Sequence, residues 1–252
     1  MNIWRIIFFL REYFFPRGCP LCGTALINTE ETWYGLCQTC LAKIRGKTSG
    51  EGQAEERCQI CGRPLVSEKG ICLPCRNVGK RHFDRILTLY PYTGKFRRLL
   101  GAYKFGRNLA LGNFFAEQIR KTLERLPLGD SADCKAETPY PAGGSAAIVP
   151  VPPRPGKIKK TGWDQIEYLA ALLEKLSIRR CLKRLPSKSQ KELNRENRIS
   201  NLKGRIILTG TPPETAVLID DVITTGSTMD TCAEVLKTGG AKRVYGICLF
   251  YS

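Results

Sequence analysis

Long apolar runs are missing from this chain of 252 residues, which nowhere holds the roughly 20 consecutive apolar residues needed to span a bilayer as a helix. The nearest approach, Ile3-Trp4-Arg5-Ile6-Ile7-Phe8-Phe9-Leu10, is interrupted by Arg11 and Glu12 before any small-residue cleavage site, which argues against a secretory signal peptide. Acidic residues are scarce as well: 23 Asp and Glu stand against 40 Lys and Arg, a formal charge of +17. That excess favours anionic partners such as phosphorylated metabolites, nucleic acid or anionic lipid. Histidine is nearly absent. His82 is the only one, and it reads as a packing or surface residue because cysteines complete the metal sets without it. Disorder is excluded by composition, with 42% apolar and 25% charged residues, ordinary values for a globular protein.

Cysteine is plentiful. Of twelve, eight form four Cys-x-x-Cys pairs in the first third of the chain. Cys19/Cys22 and Cys37/Cys40 are separated by 14 residues, and Cys58/Cys61 and Cys72/Cys75 by 10. Each pair brings two sulfurs to one ion on a tight turn, and two pairs complete a tetrahedron, so the spacing predicts two structural zinc ions. An iron–sulfur cluster or a redox dithiol would use the same pairs. Gly23 and Gly62 follow their pairs directly, where the turn can use a backbone conformation that glycine permits. Zinc on eight thiolates lowers the formal charge from +17 to about +13, so the basic excess survives. Free thiols on this scale imply a reducing, cytoplasmic location. Cys134, Cys181, Cys232 and Cys248 are assigned no site.

The texture of the chain predicts three parts: an amphipathic N-terminal helix over 1–16, a double zinc-ribbon domain over 17–80, and an α/β domain over 81–252. The first helix is open to two readings: burial against the main domain, or an interfacial position on a membrane with Arg5 and Arg11 at the headgroups. From Cys19 to Cys75 no apolar pattern of helix length is evident, and Gly46 to Glu56 reads as a connector. Beyond Cys75, strands are expected at 85–90, 146–151, 181–185, 216–220 and 243–250. Helices are expected at 96–111, 114–126, 164–176 and 228–238, with a surface loop over 127–145 and a polar basic segment over 187–201. Alternating strands and helices imply a mostly parallel sheet covered on both faces, with ligands beyond the carboxyl ends of its strands.

The most informative stretch runs from Val217 through Asp220, Asp221, Val222, Ile223, Thr224, Thr225, Gly226 and Ser227 to Thr228. An apolar strand enters a small, hydroxyl-rich turn and then a helix. Consecutive N–H groups around Gly226, the helix dipole and the hydroxyls suit a phosphate, and the paired acids suit the vicinal hydroxyls of a ribose or a hydrated magnesium ion. An ordinary capped strand-to-helix turn is the plainer alternative.

This stretch resembles the binding motif for 5-phosphoribosyl 1-pyrophosphate (PRPP) of type I phosphoribosyltransferases. The resemblance implies Asp220 and Asp221 at the ribose, as the catalytic pair, and Val222 and Thr224 to Thr228 around the 5-phosphate. Upstream, the four Cys-x-x-Cys pairs, Tyr92 to Gly94, Lys104-Phe105-Gly106, Val149-Pro150-Val151-Pro152, Gly162-Trp163-Asp164-Gln165, and Gln190, Leu193, Arg198 and Asn201 are similar to the ComF family of competence-associated proteins. That family implies a double zinc ribbon before a type I phosphoribosyltransferase-like domain, a role in DNA uptake during natural transformation, single-stranded DNA and a competence helicase or other uptake proteins as partners, and peripheral contact with the inner face of the membrane. Two departures stand out. Asp164 takes the place of an amide, and Lys203-Gly204 replaces a small-aromatic pair.

For a transferase the resemblance places Arg154, Lys157, Lys159 and Lys160 on the pyrophosphate side with magnesium, and Arg195 and Arg198 on a segment that could close over the site. A solvated basic face would carry the same charges. No base-recognition pocket is evident. Two functions therefore follow: a DNA-uptake factor that binds PRPP, a nucleotide or a strand's phosphate, and an enzyme transferring phosphoribosyl to a base or amine.

Overall fold

The computed structural model describes residues 17–48, 56–124, 126, 146–186 and 204–252. The helix expected over 1–16, most of the connector, the loop over 127–145, Cys134, and the basic segment 187–201 with Arg195 and Arg198 lie outside the described residues.

Runs rich in Val, Ile and Leu form the strands β1 (Arg85–Pro91), β2 (Ala146–Pro150), β5 (Thr215–Ile223) and β6 (Arg243–Tyr251), which make a four-stranded sheet in the order β1-β6-β5-β2. All three pairings are parallel, with Leu87 opposite Ile247, Ile219 opposite Ile247 and Ile148 opposite Val217. The first five residues of β5 and all of β2 are buried, the continuous apolar pattern of a sheet covered on both faces. The helices α7 (Gln165–Leu172) and α8 (Ser227–Thr238) pack on β5, α7 also on β2 and α8 also on β6. The strand expected at 181–185 does form, as β3 (Leu182–Arg184), but it lies in a separate antiparallel pair with β4 (Ile206–Leu208).

Helix boundaries differ from expectation in several places: the helix expected over 114–126 is shifted to 110–123, and that expected over 164–176 ends at Leu172. The ribbon region carries α1 (Thr29–Tyr34), α2 (Gln38–Thr48) and α3 (Leu73–Val78), and α2 continues into the first residues of the expected connector. Leu41 and Ile44, one turn apart on α2, are fully buried, an apolar face too short to register as periodicity. The expected helix over 96–111 ends earlier, as α4 (Gly94–Lys104), and α5 (Ala110–Leu123) begins after a break. A Cβ on Gly106 would stand 2.7 Å from the carbonyl of Ala102, and Arg107 has a φ of 50°, so the chain turns there. The basic loop after β2 holds one further short helix, α6 (Lys157–Thr161).

The described residues fall into two compact units, one within the ranges 1–54 and 93–117, the other within 55–92 and 118–252. In the first, Asn28 and Glu31 close a capping box at α1, and Glu31 also accepts the N–H of Gln38 at 2.8 Å, joining α1 to α2. Arg45 on α2 pairs with Glu30 at 2.9 Å and Glu117 at 3.0 Å, and Tyr103 packs edge-on against Phe115. The second unit contains the parallel sheet and the second cysteine set. No described helix is long and apolar enough to cross a membrane.

Candidate phosphate site and metal centres

Both cysteine sets assemble. The sulfurs of Cys19, Cys22, Cys37 and Cys40 lie within 4.8 Å of one another, as do those of Cys58, Cys61, Cys72 and Cys75. Four sulfurs on a tetrahedral zinc stand about 3.8 Å apart. Cys22 and Cys37 are at 3.4 Å and Cys61 and Cys72 at 3.6 Å, so both sets fit zinc. The donor chemistry agrees. Burial pushes the Cys58 thiol up, but N–H groups of Cys61, Cys72 and Ile60 outweigh it and bring it down to about 7. Hydrogen bonding from Thr24 brings Cys22 down to about 6, whereas burial drives Cys40 and Cys75 well up and Cys61 up to about 11. A divalent cation at the centre of such a set stabilises all four thiolates together. Four sulfur ligands leave no open position, so each zinc holds its turns together, and metal binding is coupled to folding.

Gly23 and Gly62 both adopt the left-handed conformation, with φ of 80° and 68°. Their surroundings differ. Gly62 lies against β1, the edge strand of the parallel sheet: its carbonyl accepts from Thr88 Oγ1 and Arg57 Nη1, both at 2.9 Å, and Ile60 O accepts the N–H of Ile86 at 2.8 Å. The second knuckle thus covers an edge that would otherwise present unpaired backbone groups.

At the carboxyl end of β5 the side chains alternate between faces. Ala216 and Leu218 join the core built with Met229, Cys232 and Leu236 of α8, and Asp220 continues that series. Asp221 projects to the other face, is buried at 6% exposure, and accepts Gln165 Nε2 at 2.7 Å. Gln165 Oε1 in turn accepts a hydrogen bond from Lys157 Nζ, which also lies 2.6 Å from Asp164 Oδ2. Asp164 caps α7 by accepting the N–H groups of Ile166 and Glu167 at 2.9 and 3.1 Å. The acid at this position therefore has a structural account: it caps a helix and pairs with a lysine.

After β5 the chain passes through exposed Thr224 and Thr225 to Gly226, whose φ of 76° starts α8 with no side-chain cap. Thr225 Oγ1 and Ser227 Oγ are 2.8 Å apart. The N–H of Ser227 makes a long 3.4 Å bond to Thr225 Oγ1, and the N–H groups of the first turn have no intrahelical partner one turn back, which is the electrostatic setting for an anion.

Of the basic residues expected on the pyrophosphate side, Lys157 is tied to Asp164 and Gln165, while Arg154, Lys159 and Lys160 are exposed. The sequence reading missed Arg184. On β3, partly buried, its guanidinium is shifted down by burial and by the charge of Arg154, while Asp220 favours its charged form. Arg154, Arg184 and Asp220 thus share one electrostatic neighbourhood. His82 is nearly half exposed, and its backbone N–H donates to Asp230 of α8 at 2.7 Å, in keeping with a surface role.

Residues 10–76 match the family model described as a double zinc ribbon domain. Over 90% of its length the chain is 26% identical to competence protein ComFC of Streptococcus pneumoniae, covering 96% of that protein. It is 26% identical to DNA utilization protein YhgH of Salmonella typhi, over 93% of this chain and 96% of the relative. It is also 25% identical to competence protein F of Haemophilus influenzae, over 83% and 87%.

Proposed function

Because the chain belongs to the ComF family, we propose that it is a competence-related protein that grips a phosphoribosyl ligand, PRPP or a nucleotide, at the β5–α8 corner and binds single-stranded DNA during uptake. The observation that carries this reading is the corner itself. A buried parallel strand carries Asp220 and Asp221 near its carboxyl end, and exposed Thr224 and Thr225 lead into a helix whose N-cap is Gly226, without a side chain of its own to cap it.

A 5-phosphate would sit against the first-turn N–H groups of α8, with Thr224, Thr225, Ser227 and Thr228 donating hydroxyls and Val222 lying at the strand end. Asp220 and Asp221 would accept from the ribose diol, with the Gln165 amide holding Asp221 in orientation. Arg154 and Arg184 would face the pyrophosphate, with Lys160 on the same basic segment; magnesium arriving with PRPP would neutralise part of that charge. For the strand, exposed Phe105 at 77%, beside Lys104 and Arg107, supplies a stacking face among cations, and exposed Trp33 at 60% supplies another aromatic face. A competence helicase is the class of protein partner this role calls for, and an anionic membrane surface would suit the same charge.

Calorimetry with PRPP and magnesium, alongside anisotropy of labelled single strands at several salt concentrations, tests the proposal. Saturable PRPP binding is expected, as is strand affinity that falls with log salt at a slope of about −0.7 per phosphate neutralised. Asp220→Asn combined with Asp221→Asn should abolish PRPP binding and leave two zinc ions per chain. A salt-independent strand affinity, or PRPP binding that survives both substitutions, refutes the reading. The cationic neighbourhood of Arg154 and Arg184 near Asp220 also favours a second reading, transfer of phosphoribosyl to a base or amine, which pyrophosphate release with a panel of acceptors would reveal.

A further inference from the structure

Two arginines reach the Thr-Thr-Gly loop from behind, and both follow from the second cysteine knuckle. Arg63, next to Gly62, donates Nη2 to the carbonyl of Thr224 at 3.5 Å and hydrogen-bonds the carbonyl of Ser252. Arg81, in the segment between the last cysteine pair and β1, donates Nη2 to the carbonyl of Thr225 at 2.9 Å and lies 3.7 Å from Asp230. The Arg81 side chain is only 8% exposed, and the Nε of both arginines is buried with no hydrogen-bond partner among the described residues. The cleft they line is also lined by Cys61, Cys72 and Cys75.

Peptide geometry gives these contacts a consequence at the anion site. In a trans peptide the carbonyl of one residue and the N–H of the next point in opposite directions. A guanidinium that holds the Thr225 carbonyl toward the knuckle therefore turns the N–H of Gly226 away from it, and the Thr224 carbonyl does the same for the N–H of Thr225. Those are the amides a phosphate needs. On its other side the cleft meets the cysteine set, which with zinc carries a net charge of −2 and so favours cations beside it. The metal centre, the arginines and the loop form one contiguous series.

We propose that Arg81, supported by Arg63, is a positioning residue for the phosphate loop, and that zinc in the second knuckle and a phosphoribosyl ligand at the loop are thermodynamically linked through it. The inference rests on the phosphoribosyl reading given above. By linkage, if zinc in that knuckle tightens PRPP binding by some factor, PRPP must tighten zinc by the same factor.

The full-length chain serves for the test. Arg81→Ala should keep two zinc ions per chain yet speed hydrogen exchange in the peptide spanning 222–229 and weaken PRPP–magnesium binding at least about tenfold, an effect of about 1.4 kcal/mol. Arg81→Lys, which can still donate to the Thr225 carbonyl, should recover part of both losses. In wild type, PRPP should slow chelator extraction of one of the two zinc ions, and Arg81→Ala should abolish that protection. If Arg81→Ala fails to retain zinc, Arg81→Lys and Arg63→Ala carry the same readouts. Unchanged loop exchange in a zinc-replete Arg81→Ala protein overturns the inference whether or not PRPP binds. Loop exchange that quickens while PRPP affinity stays at the wild-type value overturns the linkage. A wild-type protein that binds no PRPP removes the phosphoribosyl reading and the inference with it.

Discussion

Alanine at Gly62 and at Gly23, made separately, gives a matched comparison, since each glycine follows a Cys-x-x-Cys pair and each is left-handed. A left-handed alanine costs about 1–2 kcal/mol at either position. At Gly23 nothing lies within 4 Å of the added Cβ, so that cost is the whole effect. At Gly62 the Cβ would stand 2.5 Å from Ile86 O, 3.1 Å from Thr88 N and 3.2 Å from Leu87 Cα. These are backbone atoms of a paired strand and cannot rotate aside, so overpacking adds about 1–3 kcal/mol. Gly62→Ala should therefore lose about 2–5 kcal/mol in all, and at roughly 2–4 °C per kcal/mol its transition should fall some 2–12 °C further than that of Gly23→Ala. Scanning calorimetry on zinc-replete protein, with zinc measured before and after, reads the difference. Equal losses at the two positions would refute the docking of the second knuckle on β1.

Three further expectations are independent of any ligand. Burial drives the thiols of Cys181, Cys232 and Cys248 up, so iodoacetamide at neutral pH should leave these three unlabelled in the folded protein, as read by mass spectrometry; rapid labelling would contradict the core described for α8 and β6. Asp164→Asn keeps a helix-capping oxygen and should cost under about 1 kcal/mol, whereas Lys157→Met strands a carboxylate that is 3% exposed and should cost about 1–3 kcal/mol. Denaturant titration showing the reverse order would sink that account. Glu31 is held below the usual carboxylate range first by the N–H of Gln38, then by that of Ile27. Its stabilisation is fully present above about pH 4.3 and is lost as pH falls through the lower folded value. The stability advantage of wild type over Glu31→Gln should therefore be flat from pH 7 to about 5 and shrink on further acidification.

The parts legible in the sequence are those encoded by short spacing. Four Cys-x-x-Cys pairs specify two tetrads because each turn fixes its own sulfurs, and an apolar run ending in two acids specifies a strand that delivers them at its carboxyl end. Long-range partners left no such trace. The antiparallel pair β3–β4 joins Lys183 to Ile207 across more than twenty residues, and neither strand is long enough to show an alternating pattern. Helix α2 hid among cysteines and glycines because, among the residues whose burial is described, Leu41 and Ile44 alone mark its buried face. Arg63 and Arg81 reach the carbonyls of Thr224 and Thr225 from other elements, and charge composition alone could not separate these two from a solvated basic face. Gln165 was within reach: it belongs to the Gly-Trp-Asp-Gln turn singled out in the sequence, and its bond to Asp221 gives that turn a physical role.

Arg184 offers the sharpest separation between a residue kept for stability and one kept for a ligand. Burial disfavours its charge, and Arg154 and Arg205 disfavour it further, while Asp220 pulls the other way. Like charges around a partly buried guanidinium disfavour the ligand-free protein, and an anion bound beside it would convert that repulsion into affinity. If the arrangement serves a pyrophosphate or a strand phosphate, replacing Arg184 with leucine should leave the ligand-free transition unchanged or raise it, while weakening PRPP and polyphosphate binding together. The added repulsion would also make the ligand-free wild type more stable in moderate salt than at low ionic strength, a dependence that Arg184→Leu should flatten. A variant that melts lower than wild type and binds PRPP equally well would identify Arg184 as a packing and hydrogen-bonding residue of the β3–β4 pair, and would leave the pyrophosphate side of the site without its partly buried cation.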